Sequence, residues 1–367
     1  MITKEEKLAR LKLARTESIG PSAFWKFIES YGSATRAVKV ISENFSHKIE
    51  LCSDSKLNDE ICDMKSLGAR FVFLEDDLYP PLLRNIPDPP PLLSFLGDKE
   101  KVLSYYQRKL ISVVGSRNSS IHANKFCNML CHELGINDAV IVSGLARGVD
   151  ANAHLGGLET GTIAVTACGI NIVYPQENRT LYNDLVKKGG IFTEMPFDTA
   201  PHPQLFPRRN RIIAGMSSGT IVIEAALQSG SLITAKMALE YGREVFAVPG
   251  CPLDPRCIGS NQLIKDGAVL VQNANDVLEH IRGQVVLQKT LEELNQPATT
   301  VKMSEQEQKK LEENILKSLS SVPITIDELI SCIKVSPQEV LTVLLELELA
   351  NKIIRLHGQR VCLALND

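Results

Sequence analysis

From Leu110 onward the chain repeats one pattern: a short β-branched or apolar run, a small-residue turn, then a stretch of helical periodicity. The runs are LISVVG, AVIVSG, TIAVTA, GIFTE, GTIVIEA, EVFAVPG and AVLVQ. Runs that are apolar throughout belong to strands covered on both faces, and strands alternating with helices form parallel sheets. The pattern predicts an α/β core over residues 71–285, a Rossmann-like, doubly wound and mostly parallel sheet. Residues 1–70 read instead as short amphipathic helices, with Leu11, Leu13 and Ile19 leading into Gly20-Pro21 and then Phe24, Trp25, Phe27 and Ile28. This is a small helical domain of SAM or helix-hairpin-helix type. The Ile19-Gly20-Pro21 turn resembles half of such a hairpin, whose amides can receive a phosphate, although a plain helix junction is the simpler reading. Between the two regions, Tyr79 to Pro91 carries six prolines in thirteen residues. No helix continues through it, so it should run extended over a surface.

Beyond Ile281 the periodicity fades, and residues 286–303 read as a linker. In residues 304–367, Ser304 with Glu307, Thr325 with Glu328 and Ser336 with Glu339 have the spacing of capping boxes, the last with Pro337 in its first turn. Two strands follow around a turn at His357 to Gln359. Three helices and a hairpin in this order predict a winged helix. Its third helix carries Glu339, Glu346 and Glu348, which would bring acids to a polyanion in a major groove. With only Lys352, Arg355 and Arg360 as evident basic positions, this domain is expected to contact protein.

The chain has 367 residues, 44% of them hydrophobic, enough for several domains. No segment approaches the roughly 20 apolar residues that span a bilayer, and the charged N-terminus has no apolar stretch. No membrane association is expected. Nine cysteines scattered from Cys52 to Cys362 read as reduced thiols of a cytoplasmic protein. Cys127 with Cys131, and Cys251 with Cys257, have no second pair at metal-finger spacing, so no metal is expected. The formal net charge of −3 excludes binding to nucleic acid through overall basicity. Any such site must be local.

In an open α/β sheet, ligands bind beyond the carboxyl ends of the strands, near the switch in strand order. Those ends hold Gly115-Ser116-Arg117, then Gly144 to Gly148 with Arg147, and Ala167-Cys168-Gly169. Small residues there let backbone approach a phosphate, and an arginine fork binds two oxygens of one group. The dinucleotide fingerprint and the P-loop are both absent, so no cofactor is expected. The other local signal is Phe206-Pro207-Arg208-Arg209-Asn210-Arg211, in a window from Thr199 to Ile223 with three arginines and no acid. Rings and guanidinium groups together suit single strands, whose bases stack while arginines track phosphates. A cationic helix start also opposes the helix dipole, a conflict that an anion relieves. Ser231 reads as the cap of the next helix, and Lys236 in its second turn is either a further phosphate contact or a surface lysine. His154 reads as a core histidine. Nucleophile elbows, HExxH spacing and paired-Asp nuclease motifs are all missing. The chain is therefore expected not to be an enzyme.

The motifs YPPLL and PPPLL, VVGSR, IVSGLARGVDANAH, GTIAV, YPQEN, EMPF, FPRRNRIIAG, VIEAALQSGSLITA, VPG and GSNQLI together resemble DNA-processing protein A, the DprA/Smf family. The resemblance covers about residues 70 to 275. It implies single-stranded DNA binding and protection in natural transformation and recombination, and loading of the RecA recombinase. Single-strand-binding protein and a second copy of the chain are implied as further partners. The family's binding residues carry over to Gly115, Ser116 and Arg117 and to the FPRRNR segment. His122 departs from a common Tyr-Gly pair, and Cys168 from a glycine. Two other readings stand beside it. Ser218-Gly219-Thr220 followed by Glu224 resembles the PGGxGTxxE motif of nucleoside-monophosphate phosphoribohydrolases, with Ser217-Ser218 in place of the glycine pair. The remaining reading is a scaffold that never touches DNA.

Overall fold

The computed structural model describes residues 3–281, 305–320, 322–333, 335, 337–350, 352–356 and 360–363. By packing, the chain divides into two units, residues 1–285 and 286–367.

The first unit opens with four helices: α1 (Lys4–Ala14), α2 (Pro21–Tyr31), α3 (Ala34–Asn44) and α4 (Asp54–Leu67). Thr3, Ser33 and Ser53 cap three of them by accepting from amides three residues on, and Pro21 opens α2, where its missing N–H costs nothing. Leu13, Phe24, Ala34, Ala37 and Ile41 close a core shared by α1, α2 and α3. The chain then enters the sheet through β1 (Arg70–Phe73) and β2 (Leu92–Gly97), followed by α5 (Lys99–Tyr105). The doubly wound part runs β3 (Lys109–Gly115), α6 (Ile121–Ile136), β4 (Ala139–Ser143), α7 (Val149–Gly157), β5 (Thr162–Val165), α8 (Arg179–Lys188) and β6 (Gly190–Thr193). It continues with α9 (Leu205–Met216), β7 (Gly219–Ile223), α10 (Gly230–Glu240), β8 (Glu244–Ala247), α11 (Ile258–Lys265) and β9 (Val269–Leu270), and α12 occupies 274–281.

The nine strands pair in the order β1-β2-β6-β5-β4-β3-β7-β8-β9, parallel from β6 to β9, with β1 and β2 antiparallel at the edge. Each apolar run of the sequence is a strand. Successive side chains of one strand feed opposite cores: Leu110 and Val114 pack with α9 and α10, while Ile111 and Val113 pack with α6 and α7. The Rossmann-like fold follows from that double coverage. β1 and β2 were not anticipated, because RFVF and LLSFLG flank the proline run and pair only with each other and with β6. Within the proline run, Tyr79 is fully buried and donates its hydroxyl to Pro90 O at 2.8 Å.

The second unit holds α13 (Glu305–Ser318), β10 (Ile324–Thr325), α14 (Ile326–Ile333), α15 (Pro337–Leu349), β11 (Ile353–Leu356) and β12 (Arg360–Leu363), with strand order β10-β12-β11. This is the expected winged helix. The Thr325–Glu328 box forms, each residue satisfying the other's amide at 3.0 and 3.2 Å. Ser304, Ser336, the turn at 357–359 and the linker 286–303 lie outside the described residues. No helix among the described residues is long and apolar enough to cross a membrane.

Candidate nucleic-acid interface

Strand β3 has β4 on one side and β7 on the other, so the connections after β3 and β7 leave in opposite directions and a crevice opens between them. A cleft of about 700 Å³ occupies this place. Its lining comes from Gly115, Ser116 and Arg117 after β3, Asp150 after β4, Tyr174, and Phe206, Arg209 and Asn210 of α9.

The β3 turn is shaped by close backbone approach. A Cβ on Gly115 would lie 1.9 Å from Ile223 O, so only glycine fits where β3 and β7 end together. Ser116 N donates to Glu224 O at 2.8 Å, and Ser116 Oγ accepts from Asn118 N at 3.1 Å. The amide expected to greet a phosphate is therefore already engaged, and the turn presents Arg117 instead. Arg117 is exposed, its guanidinium carbon 4.5 Å from the Phe206 ring centroid. The exposed Tyr174 ring lies 5.9 Å from Phe206, tilted by 43°. Tyr174 was missed; its signal was an aromatic residue in the loop after β5. Together the two rings and the guanidinium form an open, flat-faced surface at the cleft mouth.

Arg209 sits on the floor rather than at the mouth. It is 5% exposed, and a Cβ on Gly144 would lie 1.3 Å from its Nη1, so Gly144 serves to admit the guanidinium. Asp150 Oδ2 lies 3.8 Å from Nη1, close enough for charge attraction and too far for a hydrogen bond. Arg209 Nε and Nη1 have no hydrogen-bond partner within the protein. Burial pulls the Arg209 pKa down and pushes that of Asp150 up, despite their mutual attraction. The floor thus holds an underused cationic fork, fixed in place.

Several predicted contacts are placed elsewhere. Arg211 is buried, its Nη2 2.6 Å from Glu194 Oε1 and its Nη1 donating to Asp88 O, so it joins segments of the fold instead of facing the cleft. The acids that hold it lie outside the acid-free window. Arg208 is half-exposed, 3.9 Å from Glu194, and Arg147 is paired with exposed Glu177; neither lines the cleft. Lys236 also lies outside the lining, a surface lysine 3.9 Å from Glu240. Asn210 does line it and donates to Gly230 O at 3.3 Å. The cap of α10 is Ser229, which accepts from Ser231 N at 3.3 Å; Ser231 falls in the first turn.

His154 is fully buried, its Nδ1 2.7 Å from Thr162 Oγ1, and burial lowers its pKa to about 3. Glu224, the residue of the phosphoribohydrolase-like reading, accepts from Ser120 N at 2.8 Å and Ser120 Oγ at 2.6 Å. It lines a separate cavity of about 410 Å³ with His122 and Cys257, so it does not face the cleft. Glu224, Asp254 and Cys257 place donor atoms within 4.8 Å of one another. Both carboxylates are already satisfied, by Ser120 and by Arg256.

Three family models match the chain. DNA recombination-mediator protein A matches residues 70–282, the DprA-like N-terminal HHH domain residues 4–62, and the DprA winged helix domain residues 297–359. The DNA processing protein DprA of Bacillus subtilis is 39% identical over 228 residues, 62% of this chain and 76% of that protein. Protein Smf of Escherichia coli is 38% identical over 229 residues, 62% of this chain and 60% of its own length. The match therefore takes in less than two thirds of the Escherichia coli protein. The solved structure of DprA from Streptococcus pneumoniae superposes with a TM-score of 0.64 at 32% identity, covering 76% of this chain and 98% of that one. A DNA processing protein A from Helicobacter pylori, solved for its single-stranded DNA binding mode, gives a TM-score of 0.53 at 28% identity over 59% of this chain and 97% of that one. Matched over most of its core and at both ends, the chain belongs to the DNA recombination-mediator protein A family.

Proposed function

We propose that the cleft binds single-stranded DNA and that the chain acts by binding, without catalytic turnover, in recombination and natural transformation. The observation that carries this reading is the Arg117–Phe206 stack beside Tyr174, above the buried Arg209 fork. Flat faces in the open accept unpaired bases, which a duplex keeps stacked inside itself. The two arginines supply phosphate contacts at different depths, one exposed at the mouth and one buried on the floor. The single-stranded DNA binding of the Helicobacter pylori relative supports the same reading.

Anisotropy with single- and double-stranded oligonucleotides of equal length, over a salt series, tests it. Single strands should bind more tightly, with log affinity falling by about 0.7 per phosphate neutralised for each unit of log salt. Equal affinity for duplex sinks the proposal. RecA loading on strands covered by single-strand-binding protein, and action as a homodimer, belong to the same proposal on the strength of family membership. RecA filament formation that stays unchanged over a range of protein concentrations removes the mediator role and leaves DNA binding.

A further inference from the structure

We propose that the N-terminal helices set the geometry of the cleft, with Arg15 and Trp25 as positioning residues that act through Arg211. The inference rests on the single-strand reading above.

Arg15, at the end of α1, has a buried side chain. Its Nε donates to both oxygens of Glu60 on α4, at 3.0 and 2.9 Å, and its Nη1 to Glu194 O at 3.2 Å. Glu60 Oε1 also accepts from Phe197 N at 3.2 Å. One ion pair of the N-terminal helices thus grips, at two points, the segment that runs from β6 into α9. The side chain of Glu194 in turn holds Arg211 Nη2. The other anchor of Arg211 is Asp88, through its carbonyl and through a carboxylate oxygen 3.4 Å away. The neighbouring Pro89 O accepts from Trp25 Nε1 of α2 at 2.7 Å. Both anchors of Arg211 are therefore held by helices that contribute nothing to the lining of the cleft.

Arg211 lies on α9, the helix that presents Phe206, Arg209 and Asn210. A stacking surface and a buried fork act on one strand together only if that helix keeps its position. A buried arginine held between two carboxylates resists displacement because moving it leaves those charges unpaired. Lysine at position 15 keeps the charge but cannot make the forked contact and the third bond at once.

The test uses the full chain and a thymidine oligonucleotide, with Arg15→Lys, Trp25→Phe and Arg211→Lys. Arg15→Lys and Trp25→Phe should each weaken binding about three- to tenfold, the equivalent of one net hydrogen bond, with the salt slope kept. The losses of Arg15→Lys and Arg211→Lys should be non-additive, because they share one path, while those of Arg15→Lys and Arg117→Lys should add. Trp25 is the only tryptophan, and its emission should shift in Arg211→Lys before any DNA is added. A purely stabilising role lowers Tm and leaves the affinity of the folded protein unchanged. Unchanged affinity of Arg15→Lys well below its Tm, or full additivity with Arg211→Lys, overturns the inference while the DNA reading survives. A wild-type chain that binds no single strand overturns both.

Discussion

The guanidinium carbon of Arg117 lies 4.5 Å from the centroid of the Phe206 ring, joining the end of β3 to the first turn of α9 across the cleft. Neither group is buried, so the contact contributes little to folding. Its consequence is a preassembled charged and aromatic surface, and the predictions follow from how each member is held.

Arg117→Ala should weaken single-strand binding for every sequence and flatten the salt slope by about 0.7, provided the side chain meets one phosphate. The melting temperature should barely move. Fluorescence anisotropy over a salt series, with a thermal melt of the same sample, checks both.

Phe206→Ala should cost about 1–3 kcal/mol of affinity through lost base stacking, and leave the salt slope unchanged because no charge is removed. Tyr174→Ala should behave in the same way. A slope change in either variant would show that the ring acts by holding Arg117 and not by stacking.

Arg209→Ala should destabilise the protein itself, by about 3–5 kcal/mol, because it leaves Asp150 buried without its counter-charge. Urea unfolding measures the loss. A fully stable Arg209→Ala protein would mean that Asp150 is neutral in the fold.

His154 gives the fold an acid sensitivity. The fold accepts only the neutral ring, with a pKa of about 3, while the unfolded chain takes up the proton near 6.5. Stability is therefore complete above about pH 6.5 and is lost below it, by about 1.4 kcal/mol per pH unit. Urea titrations between pH 7.5 and 5 should show this slope, and His154→Gln should remove most of it.

Removing residues 286–367 should leave single-strand affinity and its salt slope nearly unchanged, since the whole cleft lining comes from the first unit. Among the charges of the second unit, Glu346 accepts from Gln308 at 2.7 Å and Lys352 pairs with Glu312 at 2.8 Å. A tenfold loss, about 1.4 kcal/mol, would show that the winged helix binds DNA.

The apolar runs from Leu110 to Gln272 announced the parallel sheet, because a strand covered on both faces takes apolar or β-branched residues at nearly every position. The acid-free window around FPRRNR and the GSR turn likewise marked both walls of the cleft. What sequence could not separate was Arg117 from Arg211, or Arg209 from Lys236. Each is a cation near a turn, and nothing local distinguishes them. Asp88, Asp150 and Glu194 decide the matter, and they reach α9 only after the proline run, the β4 turn and the end of β6 have been folded against it. Burial pattern is a property of neighbouring residues and can be read along the chain. The acids that hold Arg209 and Arg211 come from distant segments, and only tertiary structure assigns them.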